Sequence, residues 1–103
     1  MNFTITARHF KLSEELKQYI EEKIHKLNRF HDGILGAEVL LGFEKQQKYV
    51  ELKVNVNNKQ IVLKEESEDF RKSFDIVKDK AERQLKRHKA KTRKGEKDII
   101  VSA

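Results

Sequence analysis

Residues 37–44 and 49–56 each alternate in character. Val39, Leu41 and Phe43 stand against Glu38, Leu40 and Glu44, while Val50, Leu52, Val54 and Val56 stand against Glu51, Lys53 and Asn55. Successive side chains of a strand point to opposite faces, so two such runs require a sheet with one covered face. Lys45 to Lys48 is a short polar connection between them. Asn57-Asn58-Lys59 is a hairpin turn, because Asn tolerates positive φ, and Ile61 with Leu63 continues the pattern through residue 65. The three segments therefore read as an antiparallel meander, and something apolar has to cover one side of it.

Two helical segments supply the cover. Ser13 is suited to N-cap a first helix, Glu14 and Glu15 meet the positive end of its dipole, and Leu16, Ile20, Ile24 and Leu27 form a stripe flanked by Tyr19 and Phe30. Asp32-Gly33 and Gly36 then offer turn chemistry, so this helix is expected to end near His31. The second start has Ser67 as the expected N-cap, Glu68 and Asp69 in the first turn, and Phe70, Phe74, Val77, Ala81 and Leu85 at helical spacing. Its end is expected near Lys91, where the apolar face is lost. A further alternating run, Phe3, Ile5 and Ala7 against Thr4, Thr6 and Arg8, is a strand ahead of the first helix. The order is β-α-β-β-β-α. The fold class is α+β: a two-layer sandwich, a four-stranded sheet with two helices on one face, resembling double-stranded RNA-binding domain-like folds.

A chain of 103 residues has room for one such core. Without cysteine it has no disulfide, thiolate zinc or iron-sulfur site, and it lacks the hydrophobic stretch of a signal peptide or membrane span, so a cytoplasmic location is expected. No enzyme is expected either. His9, His25, His31 and His88 lack metal-ligand spacing, no glycine-flanked serine suggests a nucleophile, and Gly33, Gly36, Gly42 and Gly95 cannot build a phosphate loop. Glu14, Glu15, Glu21 and Glu22 read as a solvated helix face. No catalytic residue, metal ligand, cofactor or small-molecule substrate is assigned.

Charge carries the functional signal. The net charge is +6, yet residues 71–94 hold eleven basic residues against Asp75, Asp79 and Glu82, a net of +8, so the rest of the chain sums to −2. Lys80, Arg83, Arg87, Lys91 and Lys94 recur at steps of three and four, which aligns them beside the apolar seam if the helix persists that far. The acids fall elsewhere on the wheel and leave this ridge without neutralising neighbours. On the first helix Lys23 and Lys26 take the flank next to Tyr19 and Phe30. A localised basic surface of this kind suits a polyanion. DNA-reading motifs are absent and most aromatics sit at core positions, so structured RNA bound through its backbone fits best. A generic double-stranded RNA-binding module, and a regulator that binds an acidic protein partner, are the alternatives.

The second helix also resembles a known family. Asp69-Phe70-Arg71-Lys72-Ser73-Phe74-Asp75, Asp79-Lys80-Ala81-Glu82-Arg83-Gln84-Leu85 and Lys86-Arg87-His88-Lys89-Ala90-Lys91 look like the signature helix of the bacterial ribosome hibernation promoting factors, the HPF/YfiA (ribosome-associated inhibitor) family. Asn2-Phe3-Thr4-Ile5-Thr6, Leu12-Ser13-Glu14-Glu15-Leu16 and Lys23-Ile24-His25-Lys26-Leu27 sit where that family has its first strand and helix. The resemblance covers residues 1–91, and Arg83-Gln84-Leu85 with the following lysines is its most specific part. Phe70-Arg71-Lys72 stands where the family usually has Met-Tyr and then small residues, a departure that adds positive charge.

The resemblance implies a non-enzymatic stress and stationary-phase protein, cytoplasmic and ribosome-associated. It would bind the small ribosomal subunit, with its 16S rRNA, in the channel used by messenger RNA and by transfer RNAs at the A and P sites. It implies RNA-binding roles for Lys23, Lys26, Lys80, Arg83, Lys86, Lys89 and Lys91; Arg87 joins them on the stripe alone. The expected organisation is a ribosome-binding α+β domain over 1–91 and a charged tail over 92–103, a short form that is a monomer off the ribosome. Short forms are implied either to pair inactive ribosomes with a second ribosome-dimerising factor or to hold single ribosomes inactive.

Overall fold

The computed structural model describes residues 2–57 and 59–98, with side chains through His88. The strands are β1 (Asn2–Ala7), β2 (Ile34–Glu44), β3 (Gln47–Val56) and β4 (Lys59–Ser67); the helices are α1 (Glu14–His25) and α2 (Phe70–Asp98). The sheet order is β1-β2-β3-β4, with β1 parallel to β2 and the other pairs antiparallel. A parallel pair needs a crossover, and α1 provides it. The meander and the two-layer α+β sandwich are therefore as the alternation requires.

Both helices cover the same sheet face. Val39 and Leu41 of β2, Val50, Leu52 and Val54 of β3, and Ile61 of β4 are buried beneath Ile20 and Ile24 of α1 and Phe74, Val77, Ala81 and Leu85 of α2. Each fully buried residue of this size stabilises the fold by roughly 1.5–3 kcal/mol relative to exposure, before the loss of chain entropy is counted. At the end where α2 begins, Phe10 stacks on Phe70 with centroids 4.8 Å apart, and Phe43 meets both edge-on at 5.4 and 5.3 Å. That trio fixes the connection before α1 to the start of α2.

Four boundaries differ from expectation, two through local helix geometry and two through contacts between elements. The α-helical part of α1 stops at His25 and tightens into a 3₁₀ turn over Lys26–Arg29 rather than running to His31. Side chains three apart eclipse in a 3₁₀ turn, which keeps Leu27 pointing into the core with Ile24. Gly36 does not turn; it lies in β2 beside a bulge, where an added Cβ would sit 3.1 Å from the Asn2 carbonyl oxygen. Glycine there allows β1 to approach.

Ser67 is the last residue of β4 and is not the N-cap of α2. Asp69 caps instead, its carboxylate accepting from the Lys72 amide at 3.2 Å. The buried Ser67 hydroxyl accepts from the Asp69 amide and lies 2.7 Å from Ser73 Oγ, which donates to the Lys48 carbonyl at 2.8 Å. The fourth difference is that α2 continues to Asp98, past Lys91. No proline occurs in the chain, Lys, Arg, Glu and Ala are good helix formers, and Gly95 costs only about 1 kcal/mol. Bases near the C-terminus of a helix also complement its dipole. Ile99-Ile100-Val101 and Asn58 of the expected hairpin turn lie outside the described residues.

The β2–β3 hairpin closes on Lys45-Gln46 alone. Lys45 adopts φ 60°, at a cost of about 1–2 kcal/mol for a residue with a Cβ.

Candidate nucleic-acid interface

The two helices run in the same direction, side by side, because contacts advance together along both. Tyr19 meets Phe74 edge-on at 6.0 Å and donates its hydroxyl to Asp75 Oδ1 at 2.6 Å. Farther along, Phe30 lies beneath Lys86, with Nζ 4.9 Å from the ring centroid, and His31 stacks on His88 at 5.1 Å. Burial and the Asp75 hydrogen bond raise the Tyr19 pKa above 10, against the opposing influence of Arg71. Tyr19 is thus a neutral hydrogen-bonded pin between the helices.

The acids of α2 are engaged and leave its outer bases alone. Asp75 holds Tyr19. Asp79 and Glu82 lie 3.2 and 3.4 Å from Lys78 Nζ, a side chain only 18% exposed. Burial works to lower the Lys78 pKa, but the hydrogen bond it donates to Asp79 and the charge of Glu82 raise it overall, so Lys78 stays a structural cation. Arg83 and Arg87 are exposed, and neither has an ion pair among the described residues. Lys86 is exposed above Phe30, and Lys23 stands 5.4 Å from the Tyr19 centroid. Cations seated on aromatic rings keep their outward donors.

Two expected members of the surface are compensated. Lys80 hydrogen-bonds Glu65 of β4, so the ridge does have a neutralising neighbour, supplied by the sheet rather than by the helix. Lys26 pairs with Glu22 at 3.3 Å, an exposed i, i+4 contact of about 0.3–0.5 kcal/mol that a phosphate can displace. Lys89 and Lys91 lie on the α2 backbone, but their side chains are outside the described ones. The fold therefore brings Lys23, Arg83, Lys86 and Arg87 to the helical side as available donors. It also adds Arg71, whose guanidinium carbon lies 3.9 Å from the Tyr19 centroid. Spacing along α2 gave no sign of that contact, because the partner is on another element.

An open depression of about 830 Å³ lies on the far face of the sheet between Asn2, Leu35, Asn55 and Gln60, and its charged lining is Glu38, Lys53 and Lys59. Among the described residues no three metal-ligating side chains come together, and no helix is long and apolar enough to cross a membrane.

Known proteins resemble this chain in sequence and in fold. The sequence profile of the family described as "Sigma 54 modulation protein / S30EA ribosomal protein" matches residues 3–93. A ribosome hibernation promoting factor of Azotobacter vinelandii is 33% identical over 91 residues, covering 88% of this chain and 85% of that protein. A ribosomal subunit interface protein from Coxiella burnetii superposes with a TM-score of 0.80 at 28% identity, covering 87% of this chain and 99% of that one. The N-terminal domain of Protein Y from Thermus thermophilus gives 0.77, also at 28% identity, over 85% of this chain and 99% of that domain.

Proposed function

The chain belongs to the Sigma 54 modulation protein / S30EA ribosomal protein family, that of the ribosome hibernation promoting factors, and from this we propose that it silences ribosomes by occupying the small subunit. The site is the channel used by messenger RNA and by transfer RNAs at the A and P sites, and the contacts are to the 16S rRNA backbone. The observation that carries this reading is the placement of uncompensated cations: Arg83 and Arg87 exposed on α2, with Lys86 over the Phe30 ring beside them and Lys23 over the Tyr19 ring farther back along the seam. Lys89 and Lys91 extend the same helix, while Lys80 and Lys26 exchange a carboxylate for a phosphate on binding.

Binding releases counterions from the RNA, so affinity falls steeply with salt. No covalent step is involved, which makes the block reversible. The preformed domain over 1–91 fills the channel sterically, as a monomer off the ribosome, in the cytoplasm.

Sucrose-gradient sedimentation with ribosomes tests this directly. The protein is expected to co-sediment with the small subunit, to be displaced by transfer RNA, and to be released by raised salt. The double variant Arg83→Glu/Arg87→Glu should fold normally and stay at the top of the gradient; its continued co-sedimentation would sink the reading. Equal affinity for naked duplex RNA would instead identify a generic RNA-binding module. The same gradients, run with and without a second ribosome-dimerising factor, report whether the silenced ribosomes pair.

A further inference from the structure

We infer that Arg71 and Lys23, set around the ring of Tyr19 where α1 meets the start of α2, form a second phosphodiester clamp, separate from the Arg83–Arg87 surface. The inference rests on the RNA reading above and extends it to a position outside the basic run 83–94.

The geometry is specific. Both cations lie within 5.4 Å of one ring centroid, Arg71 at 3.9 Å. A guanidinium held against a ring keeps its forked N–H edges free, and that fork matches the paired oxygens of a phosphate. Arg71 is exposed and has no ion pair among the described residues. The ring beneath it cannot swing, because its hydroxyl is tied to Asp75 and its edge rests on buried Phe74. Asp75 opposes this charge, but its carboxylate accepts the hydrogen bond of the Tyr19 hydroxyl. Next along this flank, Lys78 is outnumbered by Asp79 and Glu82, so the seam has a positive patch at the Tyr19 end, a middle of net −1, and Lys86 beyond. Arg71 and Arg83 are twelve residues apart, about 18 Å along the helix, too far for one phosphate to touch both. The two patches therefore grip separate backbone segments and fix the orientation of the domain on the RNA.

The test is ribosome affinity measured across a series of salt concentrations for Arg71→Ala, Arg71→Lys and Asp75→Asn, with Arg83→Glu/Arg87→Glu as reference. Loss of one phosphate contact should weaken Arg71→Ala about three- to tenfold and flatten the log–log salt slope by roughly 0.7–0.9. Arg71→Lys should recover the slope. Asp75→Asn keeps an acceptor for the Tyr19 hydroxyl while removing the opposing charge, and should bind about twofold tighter, which a merely structural role would not produce. An unchanged slope in Arg71→Ala, with binding still lost in the reference variant, overturns the clamp and leaves the ribosomal function standing. Retained binding in the reference variant instead defeats the function. Away from the ribosome, a short RNA hairpin should shift the Tyr19 ring and Arg71 Nε–H resonances of the wild-type protein; signals that do not move also overturn the clamp.

Discussion

The open face of the sheet and the outer side of α2 are both rich in charge, yet they are organised in opposite ways. On the sheet, Lys53 lies 3.8 Å from Glu38, its partner in strand register, and 4.0 Å from Glu51. Lys64 crosses above the Tyr49 ring, 4.6 Å from its centroid, to reach Glu44 on β2. Strand register places Glu opposite Lys, so this face is neutralised where it stands. Along α2, residues 83–94 offer seven bases and no acid, so neighbours one turn away only repeat the charge. Solvation of a face and recognition by a face thus use the same residue types, and the arrangement of counter-charge separates them. Lys80 is the intermediate case, a helix base cancelled by a sheet carboxylate.

The sharpest way to break this contrast is to reverse charge on each side. Arg83→Glu/Arg87→Glu should lower ribosome affinity more than about 100-fold, or roughly 2.7 kcal/mol. Lys53→Glu/Lys64→Glu should leave affinity within about threefold, since exposed pairs contribute only about 0–1 kcal/mol and lie away from the RNA. Equal losses in a binding isotherm would erase the distinction. Next in size, Gly42→Ala probes the packing of the sheet face. An added Cβ would sit 2.6 Å from the Tyr49 ring, so urea unfolding should show a loss of about 1–3 kcal/mol, with RNA binding unaffected once the protein is folded.

Glu65→Gln tests the intermediate case. Removing the carboxylate that Lys80 must leave should tighten binding about two- to fivefold. An affinity equal to wild type would show that Lys80 does not reach the RNA. The smallest effect concerns pH. The hydrogen bond and charge of Lys64 hold the Glu44 pKa below its ordinary 4.5, so the pair's contribution is present above that value and fades as pH falls through the depressed one. The raised Lys64 pKa loses its contribution only as pH climbs through a value above 10.5. Carbon-detected titration of the Glu44 carboxyl should locate the acid limb, and Lys64→Met should return it to the ordinary range.

Alternation and helical spacing made the layer order, the covered face and most of the core legible before any coordinates. Val39, Leu41, Val50, Leu52 and Val54 all fell where period two puts them. Of the misread features, those at Ser67 and Gly36 depended on partners in other elements. Ser67 resembles an N-cap until its position at the end of β4 buries it against Ser73, leaving Asp69 to cap. Gly36 resembles a turn residue, but it is required by the approach of Asn2, 34 positions earlier. Gly42 is the bed on which Tyr49 lies, a contact between strands that composition does not show. Of the proposed site, the basic run of α2 was readable because it is contiguous. Compensation of Lys80 by Glu65 and the seating of Arg71 on Tyr19 were not, since each joins elements that only the fold brings together.

The length of α2 has a consequence for encounter with a ligand. Its 29 residues span about 44 Å, and the whole molecule measures 51 × 24 × 17 Å, with a radius of gyration of 15.2 Å where a compact chain of this size would have about 13 Å. This rod carries a net charge of +7, over a remainder of net −1, so the protein diffuses as a polarised body with its positive charge gathered along α2. A polyanion exerts torque on such a body before contact and turns the α2 side toward itself. Productive collisions become frequent for that reason, and the association rate, more than the lifetime of the complex, carries the imprint of ionic strength.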